Sequence, residues 1–307
     1  MSNQKPRTIE EQIRLLRSRG MQFNDEEYAK EYLSHISYFR LKYYWTDMID
    51  EETDHDFLEG TSFDDVIARY NFDRILRQIL FDAIETIEVA LRAKIINHLS
   101  QAKDSGLWYL DESLFEKMDY YEDFLLDLKY EFERSTEPFV KEYIAKHTNW
   151  DSESMEGDNP DAWMILEVAT FGTLSKMYKN LKNQLPQRAT IANEFGLYSA
   201  KELSSWLEAI SVLRNIVAHH SRLWNRSLAK QPMNIKGHRD KWLCTPFTDN
   251  QKKKPYGVIT AMLYLCNAVY PENIIKTKIL SLLDSSKDIP YGKLGFTGNW
   301  RNEPIWR

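Results

Sequence analysis

Between Ser62 and Lys103 the chain contains neither glycine nor proline. A run of that length without a backbone breaker argues against a turn-rich sheet and for at least one very long helix. Ile75, Ile79, Leu80, Ala83, Ile87 and the pair Ala90/Leu91 recur at helical spacing and predict the stripe on which it packs. Gly106 is the predicted stop.

The rest of the chain reads the same way. Thr8 and Glu11 form a predicted capping box before Ile9, Ile13 and Leu16, with Gly20 as terminator. A helix follows Asn24-Asp25, and an aromatic one covers 37–49. The acidic stretch 50–56 is a linker. Further helical patterns cover 120–134, 139–146, 162–170, 173–181 and 187–195, with a polar loop at 148–160. Ser199 and Glu202 form a second predicted capping box, opening a pattern that runs through Arg226. After Pro232 the chain turns basic and irregular, then two apolar helical segments (257–269 and 272–283) lead to a tail rich in glycine and tryptophan. No period-2 strand survives comparison with the helical reading, so the predicted class is all-α.

Hydrophobic residues make up 43% of the 307 residues, enough for a substantial core, and the net charge is −6. An acidic chain exerts no global pull on nucleic acid or anionic lipid, so any such binding needs a local basic patch. Cys244 and Cys266 make no C-x-x-C pair, which suits a reducing compartment. The first residues lack a signal-peptide core, and the longest apolar stretch, 258–269, is too short to span a bilayer. The expectation is a cytoplasmic protein with no membrane partner.

The densest chemistry is LRNIVAHHSRLWNR, residues 213–226. Projected as one continuous helix, Leu213, Ile216, Val217, His220 and Trp224 share an apolar face. Asn215, His219, Arg222 and Arg226 lie opposite. On that projection His220 and Trp224 are packing residues, and His219 shares its face with groups that attract phosphate. Adjacent histidines diverge, and no H-E-x-x-H accompanies them, so no metal or other cofactor is expected. Arginine and imidazole together could move a proton and stabilise charge while an RNA 2′-hydroxyl attacks its phosphate.

Arg214-Asn215 followed by His219 resembles the R-N-x-x-x-H signature of HEPN-fold ribonucleases. The longer string RNIVAHHSRLWNR is similar to the hallmark of the Abi family of bacterial abortive-infection proteins, the AbiD/AbiF-like group. So are EQIRLLRSRGM, YLSHISYFRLKYY, YNFDRILRQILFDAIETIEVALRAKIINHLS, GLWYLD, WMILEVATFGTLSKMYKNL and the ending TGNWRNEPIWR. Val217, where many relatives have cysteine, is a volume-tolerant departure.

The resemblance implies a HEPN-like helical core at 61–232, preceded by a helical region at 1–60 and followed by a helical and irregular segment at 233–307 packed on it. It implies phage defence by growth arrest, through a metal-independent endoribonuclease associated with a structured noncoding RNA. Arg214, Asn215 and His219 would then be catalytic, with Arg222, Arg226, Arg92 and His98 binding RNA. Arg92 and His98 share the R-x-H spacing and could form an internal second half-site. A homodimer pairing two Arg214–His219 helices is the alternative. A noncatalytic RNA-binding or sensor module, arresting growth by sequestering RNA or a protein partner, competes with the enzyme reading.

Three lesser features have structural readings. The Lys252–Lys254 run reads as a solvated loop, with binding of a phosphate backbone as the alternative. The aromatic cluster Tyr38, Phe39, Tyr43, Tyr44 and Trp45 reads as core, with stacking of exposed RNA bases as the alternative. His238-Arg239-Asp240 mimics a kinase triplet without the accompanying motifs and reads as coincidence.

Overall fold

A computed structural model describes residues 5–53, 55–147, 158–238 and 241–307. Most of the 148–160 loop, and Arg239 and Asp240 of the kinase-like triplet, lie outside the described residues. Thirteen α-helices appear among those described: α1 (Ile9–Ser18), α2 (Glu26–His35), α3 (Tyr38–Trp45), α4 (Phe63–Lys103), α5 (Met118–Glu133), α6 (Pro138–Lys146), α7 (Ala162–Ile165), α8 (Phe171–Asn180), α9 (Pro186–Glu194), α10 (Ala200–Ala218), α11 (Asp249–Lys253), α12 (Pro255–Val269) and α13 (Ile275–Ser285). Isolated bridges such as Gln22 with Ser62 are the extended pairings among these residues. The protein is all-α.

The uninterrupted run forms α4, 41 residues long and therefore about 60 Å from end to end. Ser62 and Asp65 cap its start reciprocally, and Asp104 ends it in a left-handed conformation two residues before Gly106. Ile79, Leu80, Ala83, Ile87 and Leu91 are buried as the stripe requires, whereas Ile75 is 37% exposed. α4 touches α3, α9, α10, α12 and α13. α12 is buried from Pro255 through Cys266, an all-round apolar surface that only a bundle interior accommodates. Buried side chains from the N-terminal helices, from α4 to α10 and from α12 to the tail join one contiguous core.

Local chemistry explains where several elements begin and end. The Thr8–Glu11 capping box is present, while the aromatic helix stops at Trp45 and continues as a single 3-10 turn, Thr46–Met48. At α10 the second expected capping box does not form. Ser199 caps Lys201 N–H, and the buried Glu202 instead accepts the Lys236 N–H at 3.1 Å. Tertiary demand for a partner at Lys236 takes the carboxylate that the local motif would have used. The aromatic cluster also divides: Tyr44 and Trp45 are buried, but Phe39 is 66% and Tyr43 40% exposed.

One buried carboxylate joins three parts of the chain. Asp73, on α4, is fully sealed from solvent. It pairs with Arg77 one turn on and accepts the Tyr44 hydroxyl at 2.8 Å. It also accepts the Leu223 and Trp224 N–H groups, at 3.2 and 2.7 Å. Burial pushes its carboxyl upward, while Arg77 and these donors favour the charged form. Removing the carboxylate strands a buried guanidinium and two backbone donors. Asp73→Ala is therefore expected to cost about 3–5 kcal/mol, read as a fall in the urea midpoint; a loss below about 1 kcal/mol would refute the assignment.

Candidate functional site

α10 delivers Arg214 and Asn215 in its last turn and ends at Ala218, with His219 as its C-cap. His220 N–H bonds Val217 O (3.0 Å) and Ser221 N–H bonds Ile216 O (2.8 Å), the pair of bonds that defines a Schellman stop. His220 takes the left-handed position, with φ of 53°. Histidine is enriched there relative to most non-glycine residues.

The helical projection is therefore corrected beyond Ala218. His220 is not a core residue: its side chain is exposed, and its carbonyl accepts Arg40 Nη2. Trp224 is fully buried, but from the turn rather than from a helix face. It meets Phe72 edge-on and lies under the Arg69 guanidinium at 5.3 Å.

The expected shared face of His219, Arg222 and Arg226 is corrected for the same reason. Arg222 folds back to donate to Trp224 O and lies 5.3 Å over the Tyr43 ring. Arg226 Nη1 donates to Arg222 O at 3.3 Å. Asn215 and His219 remain exposed, one turn apart, with the His219 N–H on Asn215 O at 3.1 Å.

Arg214 is half-buried, and no carboxylate lies within ion-pair distance of it among the described residues. Its charge bears on Glu88, across from it on α4. Arg92 holds that carboxylate at 3.0 Å and also donates to Ala169 O at 3.0 Å. Burial pushes the Glu88 carboxyl upward, opposed first by Arg92 and then by Arg214, while Glu131 adds to the rise. Glu131 is itself occupied, accepting Thr170 N–H at 2.9 Å and the Thr173 hydroxyl at 2.8 Å at the start of α8. α4 and α10 thus bring two guanidinium groups to bear on one half-buried glutamate.

His98 does not join them. It lies six positions past Arg92, roughly 9 Å along the axis, where it meets Glu194 at 2.8 Å beside Lys94. A cavity of about 450 Å³ adjoins the motif at Ser211 and Val212, between α5, α8 and α10. Its charges largely cancel, since Lys176 pairs with Asp127 and both Lys179 and Lys230 with Glu208.

The sequence reading passed over two residues at this end of the molecule. Glu88 belongs to none of the motifs of the sequence. Lys254 is half-buried rather than solvated, its ammonium donating to Asn225 Oδ1 at 2.8 Å. No group of three or more His, Cys, Asp or Glu residues suited to a metal ion occurs among the described residues, nor is any helix there long and apolar enough to cross a membrane.

Two outcomes follow from this geometry. A left-handed position costs a side-chain-bearing residue about 1 kcal/mol, so His220→Gly should raise the melting temperature and His220→Val should lower it. The raised Glu88 carboxyl sets a pH sign. A group binding its proton more tightly when folded contributes most below its unfolded value, ordinarily 4.5, and that contribution is lost as pH rises through the folded value. Urea melts across this range should show Glu88→Gln gaining on the wild type with rising pH. An opposite trend would mean that Arg92 and Arg214 outweigh burial.

A family model described as Abi-like protein matches residues 31–225, which takes in α4, α10 and the turn as far as Asn225. No curated protein and no solved structure matches the chain. The matched span exceeds half the chain and contains Glu88, Arg92, Arg214 and His219. The chain belongs to the Abi-like family, and so, at the coarse level, to the proteins of abortive infection and phage defence.

Proposed function

We propose that this protein acts on RNA as a metal-independent, HEPN-type endoribonuclease. The observation that carries the reading is the end of α10, where Arg214, with no carboxylate within ion-pair distance among the described residues, and an exposed imidazole, His219, stand five positions apart on a rigid support. Arg214 binds the scissile phosphate and stabilises the charge that develops on it. His219 exchanges a proton with the attacking 2′-hydroxyl or the departing oxygen. Asn215 orients the phosphate from the same side. Arg92 acts through Glu88, fixing the carboxylate that faces Arg214.

Within one chain Arg92 is committed to Glu88 and Ala169, and His98 to Glu194. That favours a homodimer, in which a second copy of α10 supplies the opposing arginine and histidine around a two-fold axis. The same commitment supports a second reading, a module that holds RNA, including a regulatory noncoding RNA, without cutting it.

Arg214→Ala and His219→Ala separate the readings. Each should lower RNA cleavage in EDTA by about 10²–10⁴-fold while binding persists, and wild-type products should end in 2′,3′-cyclic phosphate. Binding without cleavage by wild-type protein stripped of copurifying nucleic acid would leave the noncatalytic reading standing.

A further inference from the structure

The turn that follows α10 gathers positive charge with little to balance it. Arg226 donates to the Arg222 carbonyl and its charge bears on the Arg222 guanidinium. Lys254, tethered to Asn225 at the start of α12, stands close enough for the Arg222 charge to bear on it. Asn225 holds that tether from a left-handed backbone, φ 48°, a conformation asparagine adopts readily.

The nearest acids are already engaged. Asp73 is sealed in and taken by Arg77, and Asp47 binds Arg69 at 2.9 Å and Lys293 at 3.6 Å. Among the described residues none of the three cations has a carboxylate within 4 Å. Burial, then the charges of Lys293 and Arg222, hold the Lys254 ammonium below the ordinary lysine range. Cations held this close in an acidic protein lower their energy when an anion sits among them.

A second observation narrows the ligand. Phe39 and Tyr43 pack edge to face at 5.5 Å on α3, and both stand exposed (66% and 40%). Tyr43 lies directly under Arg222, and Arg40, between the two rings in sequence, binds the His220 carbonyl. An aromatic platform thus borders the cations on a rigidly attached helix. Phosphate-binding charge beside exposed rings is the pairing that holds a single-stranded nucleotide.

We propose that the surface where α3 meets the 222–226 turn binds one nucleotide of single-stranded RNA, with its phosphate on Arg222, Arg226 and Lys254 and its base stacked on Phe39, the more exposed ring, which Tyr43 supports edge-on. This rests on the RNA reading above but adds a strand-holding site apart from the Arg214–His219 pair.

The test measures full-length protein against labelled oligoadenylate, inorganic polyphosphate and adenosine monophosphate, across a salt series. Phe39→Ala removes an exposed ring, and Lys254→Gln preserves a donor for Asn225, so both should melt as wild type does. Each should weaken oligoadenylate binding about tenfold, and Lys254→Gln should flatten the logarithmic salt slope by about 0.7. Phe39→Ala should leave polyphosphate binding, which involves no base, unchanged.

Wild-type affinity for oligoadenylate in both variants would overturn this site and leave the RNA reading intact. No binding by wild type would overturn both. A loss confined to Lys254→Gln would make this a bare anion site, and monophosphate binding as tight as the oligomer's would assign a free nucleotide. Either result overturns the strand assignment.

Discussion

The carboxylate of Asp73 organises this end of the molecule. A buried carboxylate is tolerated only where donors surround it. Here they come from a tyrosine of α3, an arginine of α4 itself and two backbone amides of the turn after α10. Those four partners cannot be satisfied unless α3, α4 and the turn are in register. Everything proposed for the site depends on that register. It seats Trp224 against Phe72, lays Arg222 over Tyr43 and holds the end of α10 beside the α4 helix.

The two adjacent histidines play unlike parts because the helix ends between them. His219 closes α10 and remains open to solvent. His220 turns the backbone, and its carbonyl fixes α3. A residue that would be unremarkable on a continuing helix becomes the joint by which the motif is attached to the rest of the fold. The arginines beyond it are thereby redirected from the face of Asn215 toward α3 and Lys254.

Much of the architecture was legible because it follows from local rules. The breaker-free run and its apolar spacing specify α4, and Thr8 with Glu11 specifies the start of α1. What was not legible depends on partners distant in sequence. No glycine or proline marks the end of α10, so periodicity carried the helix through His220, where tertiary bonds impose a left-handed turn. Glu202 has the spacing of a capping residue but serves Lys236. Glu88 and Lys254 look like ordinary surface charges until Arg214 is brought toward one and Asn225 toward the other. Arg214, Asn215 and His219 were singled out by spacing and by family likeness, neither of which could show that Arg92 and Arg214 both bear on Glu88 while His98 pairs with Glu194.

The bonds between Asp73 and the turn close over 150 and 151 positions of chain. The entropy of closure grows only with the logarithm of that length, but contacts so far apart form late in folding. During vectorial synthesis α4 can coil as soon as it emerges, long before α10 exists. A nascent chain ending ahead of Ser199 carries Glu88 and Arg92 with no Arg214 to face them. Such a chain has the scaffold and none of the site, so whatever chemistry this end of the molecule performs is withheld until the last third of the protein has folded back onto the first.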